Sequence, residues 1–175
     1  MLLSDVGNES GLVGKNLMFA ALAGGYGRYP VDHPRFGEGP LALPFIDRSV
    51  DDFYVAPKES GLAYRKAGTI VFQLPHKNPI FQTEKLARTA EGPLFGAALK
   101  AKMRRYFLET RTIEWEAFSE FLPHPGCAVT LDPTQRDRFG LRVARVALAT
   151  HPASRAASDY LATKGSAVMQ ASGAL

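Results

Sequence analysis

The stretch that decides the fold is residues 121–152, FLPHPGCAVTLDPTQRDRFGLRVARVALATHP. Pro123 and Pro125 force extended backbone, because the proline ring fixes φ and pushes the preceding residue out of the helical region. A strand can therefore begin only after them. Its apolar side chains recur at period two, at Cys127, Val129 and Leu131. The turn-forming sequence Asp132-Pro133-Thr134 then predicts the end of that strand.

A second strand follows the charged loop at residues 136–138. Its apolar positions are Leu141, Val143, Val146 and Leu148. The alternation slips by one residue at Ala144-Arg145, which predicts a β-bulge there. This stretch therefore predicts a strand, a turn, a second strand and then a helix that starts near Pro152.

The bulk composition indicates one ordinary globular domain. The 175 residues are 46% hydrophobic and 22% charged, and 21 Lys and Arg stand against 17 Asp and Glu for a net charge of +4. Such a mild excess says little about partners. Cys127 is the one cysteine, which excludes an intrachain disulfide and a CxxC-type zinc or redox site. We expect it to be a buried structural residue.

No apolar run approaches the roughly 20 residues that a membrane span needs. The start of the chain, Met1-Leu2-Leu3-Ser4-Asp5, lacks the basic and apolar regions of a signal peptide. We therefore expect a cytoplasmic chain without a membrane span, although the parent protein could be exported by a signal encoded elsewhere.

The amino-terminal third carries two glycine-containing features. Gly11-Leu12-Val13-Gly14 suits a tight turn in which the backbone approaches another strand or a ligand closely. Residues 18–29 predict a strand that loses regularity at its glycines. A phosphate-binding loop is not expected there, because Tyr29-Pro30 leads into a loop and not into a helix.

Further elements follow from periodicity. Residues 68–74 and 112–121 alternate as strands, residues 93–110 predict an amphipathic helix with Pro93 at its first position, and a last helix runs from Pro152 past Gly165. Together they predict an α+β fold, with an antiparallel or mixed β-sheet and helices packed on one face.

Few residues offer catalytic chemistry. Glu114 and Glu116 share one strand face and could serve as an acid/base pair, but a solvated sheet face explains them more simply. The histidines, at positions 33, 76, 124 and 151, are too scattered in the sequence for a local metal site. Cys127 and His124 are not expected to meet as nucleophile and base. No catalytic residue and no metal ligand is therefore assigned.

Two segments carry a resemblance to a known family. Gly11-Leu12-Val13-Gly14-Lys15-Asn16-Leu17-Met18 resembles the Gly-x-x-Gly-Arg-Asn-Leu segment of glucose-methanol-choline (GMC) FAD-dependent oxidoreductases, where the chain passes from the flavin domain to the substrate domain. Residues 132–143, DPTQRDRFGLRV, resemble that family's Asp-Pro…Asp-x-Phe/Trp-Gly-Leu-Pro-Val strand pair. Arg142 replaces the common proline, and Ala20-Ala21 stand where a histidine often closes the first motif.

The resemblance implies the middle portion of a flavoenzyme. Residues 1–17 would lead from a flavin domain, residues 18–150 would form the substrate-binding sheet domain, and residues 151–175 would be the returning helix. It also implies that Gly14, Asn16 and Leu17 contact FAD. The family's GxGxxG fingerprint would precede residue 1, and its catalytic histidine would follow residue 175.

The function that the resemblance implies is binding of an alcohol, sugar or polyol substrate for oxidation at a CH–OH group. FAD would be held mainly by a flavin-domain segment or a companion chain, and the isolated chain would be inactive and would bind FAD weakly. Two alternatives stay open. One is a non-catalytic module that keeps the sheet and binds a small molecule or a protein. The other is nucleic-acid binding through the basic face of the helix at residues 93–110, which carries no known binding motif, so we expect no nucleic-acid partner.

Overall fold

A computed structural model describes residues 2–4, 6–34, 48–73 and 78–174. In chain order the elements are β1 (Ala21–Pro30), β2 (Arg48–Val50), β3 (Gly68–Gln73), α1 (Pro79–Ala87), β4 (Arg88–Thr89), β5 (Gly92–Pro93), α2 (Gly96–Arg104), β6 (Thr110–Ser119), β7 (Ala128–Arg136), β8 (Arg142–Ala147) and α3 (Pro152–Ala171). A 3-10 turn occupies Lys58–Ser60, and a π-helical turn at Arg105–Glu109 joins α2 to β6. The predicted α+β class is confirmed.

The main sheet has four strands in the order β1-β6-β3-β2, and every pairing is antiparallel. β6 lies in the middle and pairs along its whole length with β1. Two smaller sheets, β4-β5 and β7-β8, complete the structure. The predicted sheet is therefore present in its antiparallel form.

Helix α3 covers one face of the main sheet, and Trp115 of β6 lies at the centre of that contact. The indole is 4% exposed, and it packs where two glycines leave room for it. A Cβ atom at Gly165 of α3 would lie 2.7 Å from the ring, and one at Gly25 of β1 would lie 2.9 Å from it. Leu161 and Met169 of α3 complete this buried layer. The side-chain volume of one tryptophan thus explains two glycines in different elements.

The predicted irregularity of the first strand is wrong. β1 begins at Ala21 and pairs with β6 without a register shift, from Ala21 opposite Ser119 to Pro30 opposite Thr110. Its glycines do not interrupt the hydrogen-bonded ladder, since they make room for side chains. A Cβ atom at Gly27 would lie 2.4 Å from the Met169 side chain.

The last helix is confirmed, and its start is fixed by local chemistry. Pro152 occupies the first turn, and Nδ1 of His151 accepts a hydrogen bond from the backbone N–H of Ala153 at 3.1 Å. The helix continues through Gly165, where the missing side chain leaves room for Trp115.

The predicted start of the middle helix at Pro93 is wrong. Gly92–Pro93 forms β5 and pairs with β4, so α2 begins at Gly96. No α2 residue is buried, and Phe95 at its start is 78% exposed. The helix therefore packs only partly, with Met103 against Thr83 of α1.

The sequence patterns predicted no element at α1, although its start carries clear signals. Pro79 occupies the first turn, and Oδ1 of Asn78 accepts a hydrogen bond from Ile80 N–H at 2.9 Å.

The predicted strands of the hairpin are present, but the predicted bulge position is wrong. The pairing moves from Leu131 opposite Ala144 to Arg136 opposite Arg142, so the extra residues lie in β7 and not at Ala144-Arg145. Oδ1 of Asp132 accepts hydrogen bonds from the backbone N–H groups of Thr134 and Gln135, at 2.9 and 2.8 Å. This local turn removes residues from the ladder without ending the strand.

Leu74 and His76, together with part of the proline-rich loop after Pro34, lie outside the described residues.

Candidate functional site

The amino-terminal segment docks on the start of the β7-β8 hairpin. The carbonyl of Gly14 accepts a hydrogen bond from Val129 N–H at 2.7 Å, and Leu17 N–H donates to the Cys127 carbonyl at 3.1 Å. Gly14 has φ +80°, and a Cβ atom there would lie 2.2 Å from the Val129 carbonyl oxygen. The predicted close approach is therefore present at Gly14 and not at Gly11, and the approached group is a strand backbone.

This contact creates a groove of about 690 Å³, which we call the hairpin groove. Val13, Val129 and Leu131 give it an apolar floor, while Lys15 and Arg142 supply cationic side chains. Such a mixture of apolar surface and a few polar groups is typical of small-molecule sites.

Two of the three residues predicted to contact FAD line the hairpin groove. Gly14 and Asn16 are on its wall, and Asn16 adopts a left-handed backbone conformation with φ 53°. Leu17 is not among the lining residues, and its backbone N–H donates to the Cys127 carbonyl. Arg142, the departure from the family pattern, lies in the groove as well.

Asp132 organises the turn that follows Leu131, which is a lining residue of the groove. The backbone N–H groups of Gln135 and Thr134 lower the pKa of the Asp132 carboxyl, and the charge of Arg145 adds to the effect. The carboxylate form therefore stabilises the bulge next to Leu131.

The fold brings together two histidines that are far apart in the sequence. The rings of His124 and His151 lie 6.4 Å apart, centroid to centroid. Each uses Nδ1 to accept a backbone N–H, from Gly126 at 3.0 Å and from Ala153 at 3.1 Å. Their acceptor nitrogens thus close a turn and cap a helix.

Cys127 is fully buried, which confirms its predicted structural character. Its Sγ–H donates to the Ala149 carbonyl at 2.8 Å, and Sγ accepts from Ala149 N–H at 3.2 Å. The thiol therefore ties the start of β7 to the segment after β8.

A second cavity, which we call the sheet-face pocket, lies on the face of the main sheet away from α3. It has a volume of about 330 Å³. Its sheet wall is made of two cross-strand pairs, Tyr26 opposite Glu114 and Arg28 opposite Thr112. Its other wall comes from α1, α2 and the π-helical turn, with Gln82, Lys85, Leu86, Lys102 and Tyr106.

The two carboxylates that were considered as an acid/base pair, Glu114 and Glu116, share one face of β6 but differ in their surroundings. Both are half-buried on β6, but only Glu114 lines the sheet-face pocket and Glu116 does not. Sequence reasoning missed the cations of this pocket, because Arg28, Lys85 and Lys102 come from three elements and share no local pattern.

No protein-family model matches the sequence, and no curated protein is significantly similar to it. Within the described residues, no three His, Cys, Asp or Glu side chains come together as a metal-binding group. A search of the same residues finds no helix with the length and apolar character of a membrane span.

Proposed function

We propose that this chain is the substrate-binding portion of an FAD-dependent oxidoreductase of the GMC type, acting on CH–OH groups of an alcohol, sugar or polyol. One observation carries the proposal. The two segments on which the resemblance depends are far apart in the sequence, yet Gly14 and Asn16 of one line the same groove as Arg142 of the other, next to Leu131. Two motifs that serve one cofactor are expected to converge in this way.

The chemistry of the hairpin groove suits part of a flavin cofactor. Its apolar floor can contact a planar ring system, and the cations Lys15 and Arg142 can contact phosphate oxygens. The described residues contain no glycine-rich loop that opens a helix and could hold a pyrophosphate. Tight FAD binding in this proposal therefore depends on a flavin-domain segment or a companion chain.

Apolar side chains around the groove support an interface with such a partner. Phe139 is 71% exposed, and other large apolar residues of this region are also exposed: Leu12, Leu141, Val146 and Leu148. Adjacent apolar side chains in water commonly mark a contact surface.

The residues that line the groove indicate which catalytic groups the proposal must place on the partner segment. A bound flavin would accept a hydride from the substrate carbon. Among the described residues, no histidine lines the hairpin groove, and His124 and His151 use Nδ1 for backbone hydrogen bonds. The proton acceptor for the hydroxyl would come from the partner segment, so the isolated chain would be inactive.

The test is to co-express the chain with the coding sequences that adjoin its own and to purify it through a tag. We expect a yellow complex with flavin absorption bands that bleach when sorbitol, glucose or ethanol is added without oxygen. Arg142→Gln should lower the flavin content. Arg155→Gln is the matched control, because Arg155 lies exposed on α3, pairs with Asp159 and does not line the groove.

A complex that stays colourless would contradict the proposal, and so would equal flavin content in the two arginine variants. Stoichiometric FAD on the isolated chain would refute the proposal that tight FAD binding depends on a flavin-domain segment or a companion chain. A colourless chain that binds a sugar would instead favour the non-catalytic binding module, which the sheet-face pocket supports.

A further inference from the structure

The sheet-face pocket has no role in the contacts that form the hairpin groove, and none of its lining residues is shared with it. Its volume of about 330 Å³ is at the lower end of the range for small-molecule sites. A ligand of this pocket would therefore be compact, of the size of one sugar ring with one substituent.

The charges around the pocket identify one part of that ligand. Arg28 of β1, Lys85 of α1 and Lys102 of α2 all line it, and Glu114 is the one carboxylate among the lining residues. Within the described residues, no ion pair joins any of these three cations to a carboxylate. Lys102 acts electrostatically on the carboxylate of Glu91, which is not a lining residue of the pocket. Arg28 instead lies over the Tyr26 ring at 5.4 Å, and Nζ of Lys102 donates to the Leu86 carbonyl at 3.1 Å.

The cations outnumber the carboxylate of the lining, so the pocket keeps an excess of positive charge. Like charges around one small cavity repel one another, and an anion bound between them would relieve that repulsion. Arginine can form two parallel hydrogen bonds to a carboxylate or phosphate, and lysine contributes a mobile point charge. The charge arrangement thus fits a small anion.

Polar groups of the pocket identify a second part of the ligand. Gln82 lines the pocket and is only 7% exposed, and its Oε1 has no hydrogen-bond partner among the described residues. The hydroxyl oxygen of Thr112, also in the lining, is likewise buried without a partner in that part of the chain. Buried polar atoms in proteins are nearly always hydrogen-bonded, so these two are suited to hydroxyl groups of a ligand.

We infer that the sheet-face pocket binds a polyhydroxylated small-molecule anion, which is a sugar bearing a carboxylate or a phosphate. Arg28 and the two lysines hold the charged group, and Gln82 and Thr112 hold sugar hydroxyls. The ring of Tyr26 lies beside Arg28 and provides an aromatic surface for the sugar. As a statement about substrate class the inference rests on the proposed function, whereas binding itself requires no flavin.

The experiment compares three ligands that differ at one carbon: D-glucuronate, D-glucose 6-phosphate and D-glucose. Binding to the full chain is measured by saturation-transfer NMR and calorimetry, with acetate and inorganic phosphate as anions without the sugar. We expect saturable binding of one or both sugar anions. Glucose should bind at least about tenfold more weakly, which corresponds to ~1.4 kcal/mol. The stronger of the two sugar anions identifies the charged group as carboxylate or phosphate.

The variants test the named side chains. Arg28→Gln should weaken sugar-anion binding by about tenfold or more, because a charged hydrogen-bond donor is lost. Lys100→Gln removes the same charge from the exposed side of α2 without touching the pocket, and it should leave binding unchanged. Gln82→Glu places a like charge beside the ligand and should abolish binding. Circular dichroism and thermal unfolding verify that each variant is folded.

Absence of saturable binding for both sugar anions would overturn the inference. Equal affinity for glucose and for the stronger of the two sugar anions would overturn it too, and so would equal losses in Arg28→Gln and Lys100→Gln. The outcome is separable from that of the proposed function. Sugar-anion binding by a chain that never recruits flavin upholds this site and rejects the oxidoreductase. Flavin bleaching that is unaffected by sugar acids and by Arg28→Gln upholds the oxidoreductase and rejects the pocket as its substrate site.

Discussion

The main sheet and the β7-β8 hairpin are both antiparallel, yet buried apolar side chains stabilise the sheet and hydrogen bonds to other segments stabilise the hairpin. The sheet buries Ile70, Trp115 and Ala117 beneath α3, and each is at most 4% exposed. In the hairpin, no residue of β7 or β8 is buried. The hairpin is held by backbone hydrogen bonds to the amino-terminal segment and by the buried thiol of Cys127.

The sheet and the hairpin thus differ in what their side chains do. The sheet contributes buried apolar area to folding, whereas the hairpin leaves its apolar side chains available for contact. Burial of apolar area is the main stabilising term in folding, so the sheet and α3 supply most of the stability. A hairpin that buries little of its own surface is marginal alone. Its exposed apolar side chains are consistent with the flavin-domain interface proposed above.

The largest effect should come from removing the centre of the sheet core. Trp115→Ala leaves a cavity between Gly25 and Gly165, and we expect it to lower the free energy of unfolding by about 3–5 kcal/mol. Urea denaturation followed by circular dichroism measures this loss. The control is Tyr26→Ala, on the opposite sheet face and 62% exposed, which should change stability by no more than about 0.5 kcal/mol. Similar losses in the two variants would remove the distinction between the two faces.

An intermediate effect should come from undocking the hairpin. Gly14→Ala forces an alanine into an unfavourable positive φ, and the new Cβ also meets the Val129 carbonyl. Gly11 has φ +64°, and no atom lies within 4 Å of the place that a Cβ would occupy there. Gly11→Ala therefore carries only the backbone cost of roughly 1–2 kcal/mol.

Hydrogen exchange followed by mass spectrometry compares the two glycine variants. Gly14→Ala should accelerate exchange at Cys127 and Val129 well beyond Gly11→Ala, while amides of β6 stay protected in both. If both variants loosened the hairpin equally, the close approach at Gly14 would not be what holds it.

The smallest effect concerns the bulge of β7 and depends on pH. The folded-state pKa of Asp132 lies below its ordinary value. Its carboxylate therefore contributes stability above that ordinary value, and the contribution is lost as pH falls through the folded pKa. Asp132→Asn keeps an acceptor oxygen at this position but removes the titrating group.

We therefore expect the difference in melting temperature, wild type minus Asp132→Asn, to be constant above about pH 5. Below about pH 4 this difference should fall. Thermal unfolding across that range measures it. A difference that is independent of pH would show that the charge of Asp132 does not stabilise the bulge.

Sequence reasoning predicted elements whose signals are local. The alternation at residues 112–121 predicted β6, and Pro152 predicted the start of α3. The start of α2 was misplaced, because Gly92–Pro93 is recruited into a two-stranded pairing that no local pattern reveals. The bulge was misplaced because the alternation of apolar residues indicates only which way side chains point. It does not indicate that the Asp132 carboxylate accepts hydrogen bonds from the backbone N–H groups of Thr134 and Gln135.

The candidate sites show the same limit. Gly14 and Asn16 were found through a motif, and both line the hairpin groove. The cations of the sheet-face pocket were not found, because Arg28, Lys85 and Lys102 belong to three elements. Their meeting depends on how two helices approach a sheet, which individual segments do not encode.

By itself, the sequence determined the longer strands and the last helix, because proline geometry, side-chain alternation and helix capping act within a few residues. The tertiary structure alone decided that Gly165 and Gly25 face one indole, that Gly14 touches Val129 and that three cations surround one pocket. Those contacts depend on packing between segments that are distant in the sequence, and local sequence patterns do not specify which side chains meet there.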